Sequence, residues 1–297
     1  MKSPTRYDVV VMGAGSGGSG AALAAARGGC SVLLVERADT IGGTVVRGGV
    51  HVWEMGVGGT GLPFQIYLRL RPIPQAVGIY TIGRQFSWQD AWYWPHRLDK
   101  VNFPGGELLI DSVRRYADTL QRHCPEGQVE NEAFCRKTWH GVVMEPLAYR
   151  DTVERMLKET GRCEVRTGSR FQSVDAADGR IRSAALTDGS IVEAGAWVDA
   201  TANVDLCVAC GCATMQGMES REAFGEPDAP EEPLPIVNGV TLFYRITPTA
   251  AAAVEPLPPG VPVACWWASH FPPMSCVQFP CGDRSCNMLP TMEGVEY

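Results

Sequence analysis

The sequence has no excess of positive charge. Its 26 Lys and Arg residues stand against 33 Asp and Glu residues, which gives a formal net charge of −7 at pH 7. A protein that binds nucleic acid through the phosphates relies on a positive field. The charge balance therefore argues against a nucleic-acid partner.

Long apolar runs are also missing. No uninterrupted stretch reaches the roughly 20 apolar residues that a helix needs to cross a bilayer, so no membrane span is predicted. The first residues make a poor secretory signal, because Asp8 and the glycines between residues 13 and 29 interrupt the apolar stretch. We therefore expect a cytoplasmic protein. The oligomeric state is left open.

Cysteines are present, but not in the pattern of a disulfide scaffold. There are 11 of them, an odd number, spread over 297 residues, whereas disulfide frameworks belong to short secreted chains. We expect most of them to be reduced and buried. With 45% hydrophobic and 20% charged residues, the chain can bury a large core and is not of the disordered class. Its length fits one large or two ordinary domains.

A strand–helix–strand unit opens the chain. Residues 7–12 (YDVVVM) form a short apolar run rich in β-branched valine, which predicts a strand buried on both faces. Strong helix formers follow at residues 21–27, and a second apolar run at residues 31–35 (SVLLV) leads to Glu36. The glycine-rich turn GAGSGGSG lies between the first strand and the helix. The pattern predicts a βαβ unit in a parallel sheet.

The glycine-rich turn has the spacing of a dinucleotide-binding loop. Gly13 would permit the sharp turn, Gly15 would let the backbone approach a pyrophosphate, and Gly18 would let helix and strand pack closely. The anion would lie at the helix N-terminus, where free amides and the helix dipole favour negative charge. Glu36 ends the second strand, where a carboxylate can accept hydrogen bonds from a ribose. The predicted site includes the other residues of the loop, Ala14, Ser16 and Gly17. This unit alone does not distinguish NAD from FAD.

The segment after Glu36 resembles that of the FAD-dependent oxidoreductases of the glutathione-reductase superfamily. It reads RADTIGGTVVRGG. In that family a glycine pair at this place leads into a loop that runs under the flavin, and a further pair follows. The resemblance implies FAD as the cofactor and contacts to it from Arg37, Gly42, Gly43, Thr44, Arg47, Gly48 and Gly49.

A second stretch, far along the chain, resembles the same family. Residues 197–212 (WVDATANVDLCVACGC) are similar to its late flavin motif, usually DATG followed by an acidic residue. Here Ala202 stands where Gly is usual and Asn203 stands where Asp is usual. The resemblance implies contacts to FAD at Thr201 and at Phe171, whose backbone position usually meets the adenine.

Turn signals in the second half predict a β-meander. Short alternating runs at residues 171–174, 181–186 and 191–194 are separated by AADGR and TDGS. One more apolar strand is expected at residues 196–200, followed by a small-residue helix up to Gly211. A helix is also expected at residues 149–160, before a strand at residues 163–166.

We predict an α/β fold with a Rossmann-like parallel nucleotide-binding sheet, a β-meander and an inserted, mixed cap or substrate domain. The FAD-binding domain would comprise residues 1–50 and 141–217. The cap would comprise residues 51–140, with a helix at 107–124, and residues 218–297. The family normally carries a further Gly-Asp turn near its C-terminus, and none is evident here. The resemblance therefore implies either a C-terminally truncated chain or, if residue 297 is the natural end, a compromised affinity for the cofactor.

Two side chains in the loop beneath the flavin are candidates for catalysis. A flavin accepts hydride itself, so the protein supplies positioning, a base and nearby charge. Arg47 could stabilise the anionic reduced flavin, and His51 could act as a base or as a covalent flavin tether. The alternatives are that Arg47 binds the pyrophosphate and that His51 only packs within the loop.

Three other groups of side chains each have a functional and a structural interpretation. The aromatic cluster Trp88, Trp92, Tyr93, Trp94 and His96, and the smaller group Trp266, Trp267 and His270, could stack on a substrate or form the core of an irregular cap. Cys207, Cys210 and Cys212 could bind a metal or form a redox dithiol, but a helix packed with small residues explains them more simply. No metal site is predicted.

Missing motifs narrow the enzyme class. There is no second strand–GxGxxG–helix unit and no CxxxxC pair just after the first βαβ unit, so an enzyme organised like the disulfide reductases is not expected. We predict an FAD-dependent oxidoreductase that transfers hydride between a small organic substrate and the flavin. The alternatives are an NAD(P)-dependent dehydrogenase and a flavin-binding remnant without turnover.

Overall fold

The opening segment forms the predicted βαβ unit in the computed structural model. Strand β1 (Thr5–Met12) leads into helix α1 (Ser16–Arg27) and then into strand β2 (Val32–Val35). Helix α1 begins at Ser16 and not at residue 21, because the glycine-rich turn itself forms its first turns. Strand β2 is buried along its whole length, as predicted, whereas only the last three residues of β1 are.

The structure describes residues 4–53, 61–79, 142–247, 249–250, 256, 259–260, 275–279 and 281–287. These fall into two compact units. The first unit contains the described residues within 1–50 and 146–238, and the second contains those within 51–145 and 239–292. The helix expected at residues 107–124 and both aromatic clusters lie outside the described residues. The predicted domain boundaries stay a prediction.

Besides α1, the described residues form five helices, two of which have ten residues or more. They are α2 (Gly43–Arg47), α3 (Gly61–Leu70), α4 (Pro146–Glu159), α5 (Asp205–Ala209) and α6 (Arg221–Phe224). Helix α4 covers the predicted helix at residues 149–160 and starts three residues earlier. It is amphipathic: Tyr149, Val153 and Met156 recur on one face and are buried, which is the spacing of a helix that packs on a core.

A six-stranded sheet forms the centre of the first unit. Its strand order is β6-β2-β1-β9-β8-β7. The four strands not yet given are β6 (Cys163–Arg166), β7 (Phe171–Ala177), β8 (Arg180–Leu186) and β9 (Ile191–Asp199). Strands β6, β2, β1 and β9 run parallel, while β8 and β7 continue the sheet antiparallel. The predicted α/β fold, with its parallel nucleotide-binding sheet and β-meander, is confirmed.

One predicted break in the sheet is wrong. Separate strands were expected at residues 191–194 and 196–200, but residues 191–199 form the single strand β9. The reason is its partner, since β1 pairs in parallel with β9 from Thr5 opposite Val192 to Met12 opposite Asp199. Gly195 lies within this pairing and interrupts nothing. Strand β9 therefore serves as both the last strand of the meander and the neighbour of β1.

The core of the first unit packs against the meander. Its fully buried members come from β1, β2, β8, β9 and α5, and they are Val10, Met12, Leu33, Val35, Ala184, Leu186, Val192 and Leu206. Each fully buried side chain of this type contributes about 1.5–3 kcal/mol. The core therefore fixes the ends of β1, β2 and β9 against one another.

The second unit contains two small antiparallel sheets. One has the order β3-β5-β4, formed by β3 (Val52–Trp53), β4 (Val77–Ile79) and β5 (Val142–Met144). The other has the order β10-β12-β11, formed by β10 (Phe243–Ile246), β11 (Ser275–Gln278) and β12 (Arg284–Asn287). In the part of the chain that the structure describes, no helix combines the length and apolar character that crossing a bilayer requires.

Candidate functional site

The candidate site is a crevice at the carboxyl ends of three parallel strands. The register pairs Met12 with both Val35 and Asp199, so the residues that follow β1, β2 and β9 lie side by side. Open α/β sheets bind ligands at this edge. The crevice lies within the first unit and has a volume of about 1050 Å³, at the upper end of the range for small-molecule sites.

Two glycines of the loop are required by the packing of the protein itself. Gly13 has a φ of +95°, and a Cβ added there would lie 2.4 Å from the carbonyl oxygen of Ala200. A Cβ added at Gly18 would lie 1.7 Å from the carbonyl oxygen of Gly13. Glycine at these two positions lets β1, α1 and β9 pack closely. Gly13 lies in the sharp turn and Gly18 in the close contact of helix and strand, as predicted.

Two other glycines of the loop face open space. A Cβ added at Gly15 would meet only the Cα of Gly43, at 4.0 Å, and a Cβ added at Gly17 would meet no atom within 4 Å. Both residues line the crevice. Since no neighbouring atom demands glycine here, the bare backbone leaves room for a ligand above it.

The same loop supplies hydrogen-bond donors. Helix α1 begins after Gly15, and no side chain caps its N-terminus. The amides of the first turn of a helix have no acceptor within the helix, and Ser16 and Gly17 of that turn line the crevice. With the positive end of the helix dipole, these groups form an anion-binding position.

Glu36, directly after β2, lines the crevice. Its Oε2 accepts the amide of Ala14 at 2.8 Å, and its Oε1 accepts the amide of Ala38 at 2.9 Å. A carboxylate has about four acceptor sites, so the side chain is held in place and retains acceptor capacity for hydroxyl groups. This is the chemistry that a ribose diol requires.

The loop after β2 is fastened to the glycine-rich turn. The amide of Gly42 donates to the carbonyl oxygen of Ala14 at 2.8 Å, and helix α2 starts directly afterwards. Thr44, Arg47 and Gly48 thereby line the crevice. The described lining holds three guanidinium groups, from Arg37, Arg47 and Arg170, and two carboxylates, from Glu36 and Asp205. The crevice is therefore locally more positive than the chain, whose formal net charge is −7.

The turn after β9 also lines the crevice, and its conformation is fixed by hydrogen bonds to Asp199. Its Oδ1 accepts the amide of Thr201 at 2.9 Å and the hydroxyl of Thr201 at 2.6 Å, and its Oδ2 accepts the amide of Cys207 at 2.8 Å. The Thr201 hydroxyl in turn accepts the amide of Asp205 at 2.7 Å. These hydrogen bonds lower the pKa of Asp199 although its burial acts in the opposite direction. Ala202 and Asn203, the two departures from the family motif, both line the crevice.

The structure brings most of the predicted cofactor residues together. Those that line the crevice are Gly13, Gly15, Ser16, Gly17, Glu36, Arg37, Gly43, Thr44, Arg47, Gly48, Phe171 and Thr201. Ala14, Gly18, Gly42 and Gly49 are not part of this lining: Ala14 binds Glu36, and Gly18 packs on the turn. Contact of each residue with FAD stays a prediction.

His51 is not part of the lining and lies in the second unit. It is 5% exposed and stacks on Phe279, with the ring centroids 4.8 Å apart. The guanidinium of Arg245 lies 4.1 Å from the centroid of the same Phe279 ring. Burial, with a smaller effect of Arg245, lowers the pKa of His51 to about 4, so the imidazole is neutral at pH 7. Its catalytic role stays a prediction.

Several lining residues were missed by the sequence. Ser169 and Arg170 lie between β6 and β7, Gln172 lies in β7, and Thr187 lies in the turn between β8 and β9. The amide of Ser169 donates to the carbonyl oxygen of Glu36 at 3.0 Å, which brings this connection to the crevice. The rule that ligands bind at the carboxyl ends of parallel strands could have found Ser169 and Arg170. Asp199 carries a signal too, as the acidic residue that opens the late motif.

The sequence is similar to a known protein family and to curated relatives. The chain matches the family model of the FAD dependent oxidoreductases over residues 8–256. It is 49% identical over 106 residues to the 3-oxosteroid 1-dehydrogenase of Mycobacterium tuberculosis H37Rv, a match that covers 35% of this chain and 17% of that protein. The protein of the same name from Mycolicibacterium smegmatis is 51% identical over 47 residues, 16% of this chain and 8% of that one. This chain thus spans less than one fifth of the curated relatives that it matches.

One solved structure that resembles the chain is the L-amino acid deaminase from Proteus vulgaris with its specific insertion sequence deleted. It is 14% identical, with a TM-score of 0.47, and the match covers 98% of this chain and 70% of that one.

Proposed function

Because this chain belongs to the FAD dependent oxidoreductase family, we propose that it binds FAD in the crevice of the first unit and transfers hydride between a small organic substrate and the flavin. One observation carries the proposal. An uncapped helix N-terminus and a carboxylate with spare acceptor sites meet at the same edge of a parallel sheet.

The first turn of α1 would hold the diphosphate. The open backbone at Gly15 and Gly17 lets phosphate oxygens approach the amides of Ser16 and Gly17. The guanidinium of Arg47 lines the same crevice and supplies a full positive charge. Hydrogen bonds between a charged group and an amide contribute about 1.5–3 kcal/mol each, so a few of them account for tight binding.

Glu36 would bind the ribose of the adenosine. Its two backbone bonds, at 2.8 and 2.9 Å, fix the carboxylate before any ligand arrives, which reduces the entropic cost of binding. Phe171 and Arg170 line the crevice beyond the end of β6 and offer surfaces on which the adenine could pack. The Thr201 turn forms the opposite wall, with its backbone held by Asp199.

The bound flavin supplies the redox chemistry, by accepting or donating hydride at N5. The task of the protein is to position the reactants, to exclude water and to balance charge. A guanidinium such as that of Arg47 would stabilise negative charge that develops nearby. A neutral His51, as its lowered pKa implies, is in the form that accepts a proton or that attacks as a nucleophile, so both predicted roles remain possible chemically.

The experiment is an absorption spectrum of the purified chain followed by a substrate panel. We expect the visible bands of oxidised flavin, either at once or after addition of FAD. The panel should include a 3-oxosteroid and an L-amino acid, the compound classes named in the proteins that this chain resembles. Loss of the bands without oxygen identifies a reductant.

The outcomes separate the alternatives. A chain that binds NAD(P) and shows no flavin bands would be a nicotinamide-dependent dehydrogenase and would overturn the proposal. Flavin bands that no member of a broad panel bleaches, although dithionite does, would favour a remnant without turnover. A cytoplasmic location and the lack of a nucleic-acid partner stay predictions.

A further inference from the structure

Helix α5 ends in a Schellman motif that brings two cysteines together. The amide of Cys212 donates to the carbonyl oxygen of Cys207 at 3.0 Å, and the amide of Gly211 donates to that of Val208 at 3.0 Å. Gly211 has the required positive φ, +74°. In this motif the residues at the ends of the longer bond frequently make a side-chain contact. Here those residues are Cys207 and Cys212.

The two thiols interact, and the third cysteine of the segment is engaged elsewhere. The Cys212 thiol and the Asp199 carboxylate lie near the Cys207 sulfur, since both, after burial, raise the pKa of Cys207. Cys210 instead packs against the core cluster of the first unit. All three are free thiols, and Cys212 is exposed. Among the described residues, no group of three ligand side chains is arranged to hold a metal.

From this geometry we propose that Cys207 and Cys212 form a reversible disulfide that controls the Thr201 turn of the crevice. The pair is defined by the C-terminal motif of the helix and not by the CxxC spacing of Cys207 and Cys210. Disulfides require neighbouring Cβ atoms and a Cα separation of about 4.4–6.8 Å, which adjacent side chains across a Schellman motif can satisfy.

The oxidant is a low-molecular-weight disulfide such as oxidised glutathione. The exposed Cys212 thiol, as its thiolate, attacks one sulfur of the disulfide, releases one thiol and forms a mixed disulfide. The Cys207 thiol then loses its proton and displaces the second thiol. The protein loses two electrons and two protons, and the small disulfide becomes two thiols. Cys212 is exposed whereas Cys207 is only partly exposed, so Cys212 is the residue that reacts first.

Asp199 connects the dithiol to the crevice. The same carboxylate accepts the Thr201 amide at 2.9 Å and the Cys207 amide at 2.8 Å, and it lies near enough to the Cys207 thiol to raise the pKa of that thiol. Oxidation removes the thiol proton and pulls the Cys207 sulfur towards Cys212. The hydrogen bonds that Asp199 makes to the turn should then weaken, and the wall formed by Thr201 and Asn203 should loosen.

Peptide mapping tests the pairing directly. The full chain is incubated with glutathione buffers of graded ratio, remaining thiols are alkylated, and the protein is digested with trypsin. Residues 183–221 form one tryptic peptide that holds all three cysteines, so fragmentation identifies the alkylated one. We expect a single alkyl group, on Cys210. An alkyl group on Cys212 with Cys207 and Cys210 bridged, or three alkyl groups at every ratio, would overturn the proposal.

Hydrogen exchange tests the coupling and requires no bound FAD. The amides of Thr201 and Cys207 should exchange about tenfold faster in the oxidised protein, the effect of weakening one charge-assisted hydrogen bond. The variant Cys210→Ser should keep both the disulfide and the acceleration, whereas Cys212→Ser should lose both. Unchanged exchange in protein shown to carry the disulfide would refute the link through Asp199. Because neither measurement involves flavin, failure here is distinguishable from failure of the proposed function.

Discussion

Gly15→Ala separates cofactor binding from folding at the crevice. The φ of Gly15 is −70°, which any residue adopts, and the added methyl group would meet only Gly43, at an ordinary 4.0 Å. Alanine lowers the entropy of the unfolded chain, whereas glycine is the better N-cap. These effects oppose each other, so we expect the free energy of unfolding to change by less than about 1 kcal/mol.

The effect on FAD binding should be much larger. The methyl group occupies the open space through which a phosphate would approach the first turn of α1. The loss of one hydrogen bond between a phosphate oxygen and an amide costs about 1.5–3 kcal/mol, which corresponds to a roughly 10- to 150-fold rise in the dissociation constant. Titration of the apoprotein with FAD, followed by flavin fluorescence, measures that constant, and urea unfolding measures stability.

Two neighbouring glycines provide matched controls. Gly20→Ala adds a methyl group that meets nothing within 4 Å in the same helix, so it should stabilise the protein by about 0.5–1 kcal/mol and leave FAD affinity unchanged. Gly18→Ala forces a Cβ to within 1.7 Å of the Gly13 carbonyl oxygen and should cost at least about 3 kcal/mol of stability. Gly15→Ala protein that binds FAD as tightly as Gly20→Ala would refute the placement of the diphosphate.

Three further predictions concern side chains with defined partners. Glu36→Gln places an amide NH₂ group against one of two backbone donors and should cost about 1–3 kcal/mol of stability, measured by urea unfolding, besides weakening FAD binding. His51 has a folded pKa of about 4, below its value of 6.5 in the unfolded chain. Its contribution to the free energy of unfolding is therefore present above pH 6.5 and is lost as the pH falls. Between pH 7 and 5, the wild type should lose about 2 kcal/mol more of that free energy than His51→Gln. An equal loss in both proteins would contradict that pKa. Asp199→Asn keeps one acceptor oxygen, which we expect to stay with the two donors of Thr201. Amide exchange should therefore accelerate more at Cys207 than at Thr201, and equal protection at both would contradict the observed bonds.

Local sequence patterns were sufficient to predict the βαβ unit. Short apolar runs bounded by glycine define β1 and β2 because strands buried in a parallel sheet require continuous hydrophobicity. Strand β6 was predicted with its observed limits, Cys163–Arg166. The same reasoning placed Glu36 at the end of β2, where its carboxylate faces the glycine-rich turn. These features depend on residues near one another in the chain.

The limits of β9 depended on a distant partner. The alternating run at residues 191–194 and the apolar run at residues 196–200 indicated two strands, but pairing with β1 from Val192 to Asp199 keeps the backbone extended. The pairing of two strands more than 180 residues apart leaves no mark in either segment alone. Ser169 and Arg170 were missed for a related reason, since their position at the crevice follows from the pairing of β6 with β2.

The four glycines of the loop illustrate what a motif contains and what it does not. In the sequence, Gly13, Gly15, Gly17 and Gly18 are equivalent letters. In the structure, a Cβ at the first or last of them collides with backbone oxygen, whereas a Cβ at either of the middle two meets almost nothing. The outer pair would therefore be required in any protein with this turn, with or without a nucleotide. The packing of the protein does not require glycine at the inner pair, so only this pair argues for a ligand. Variants at Gly15 and Gly17 should therefore weaken ligand binding before they lower stability.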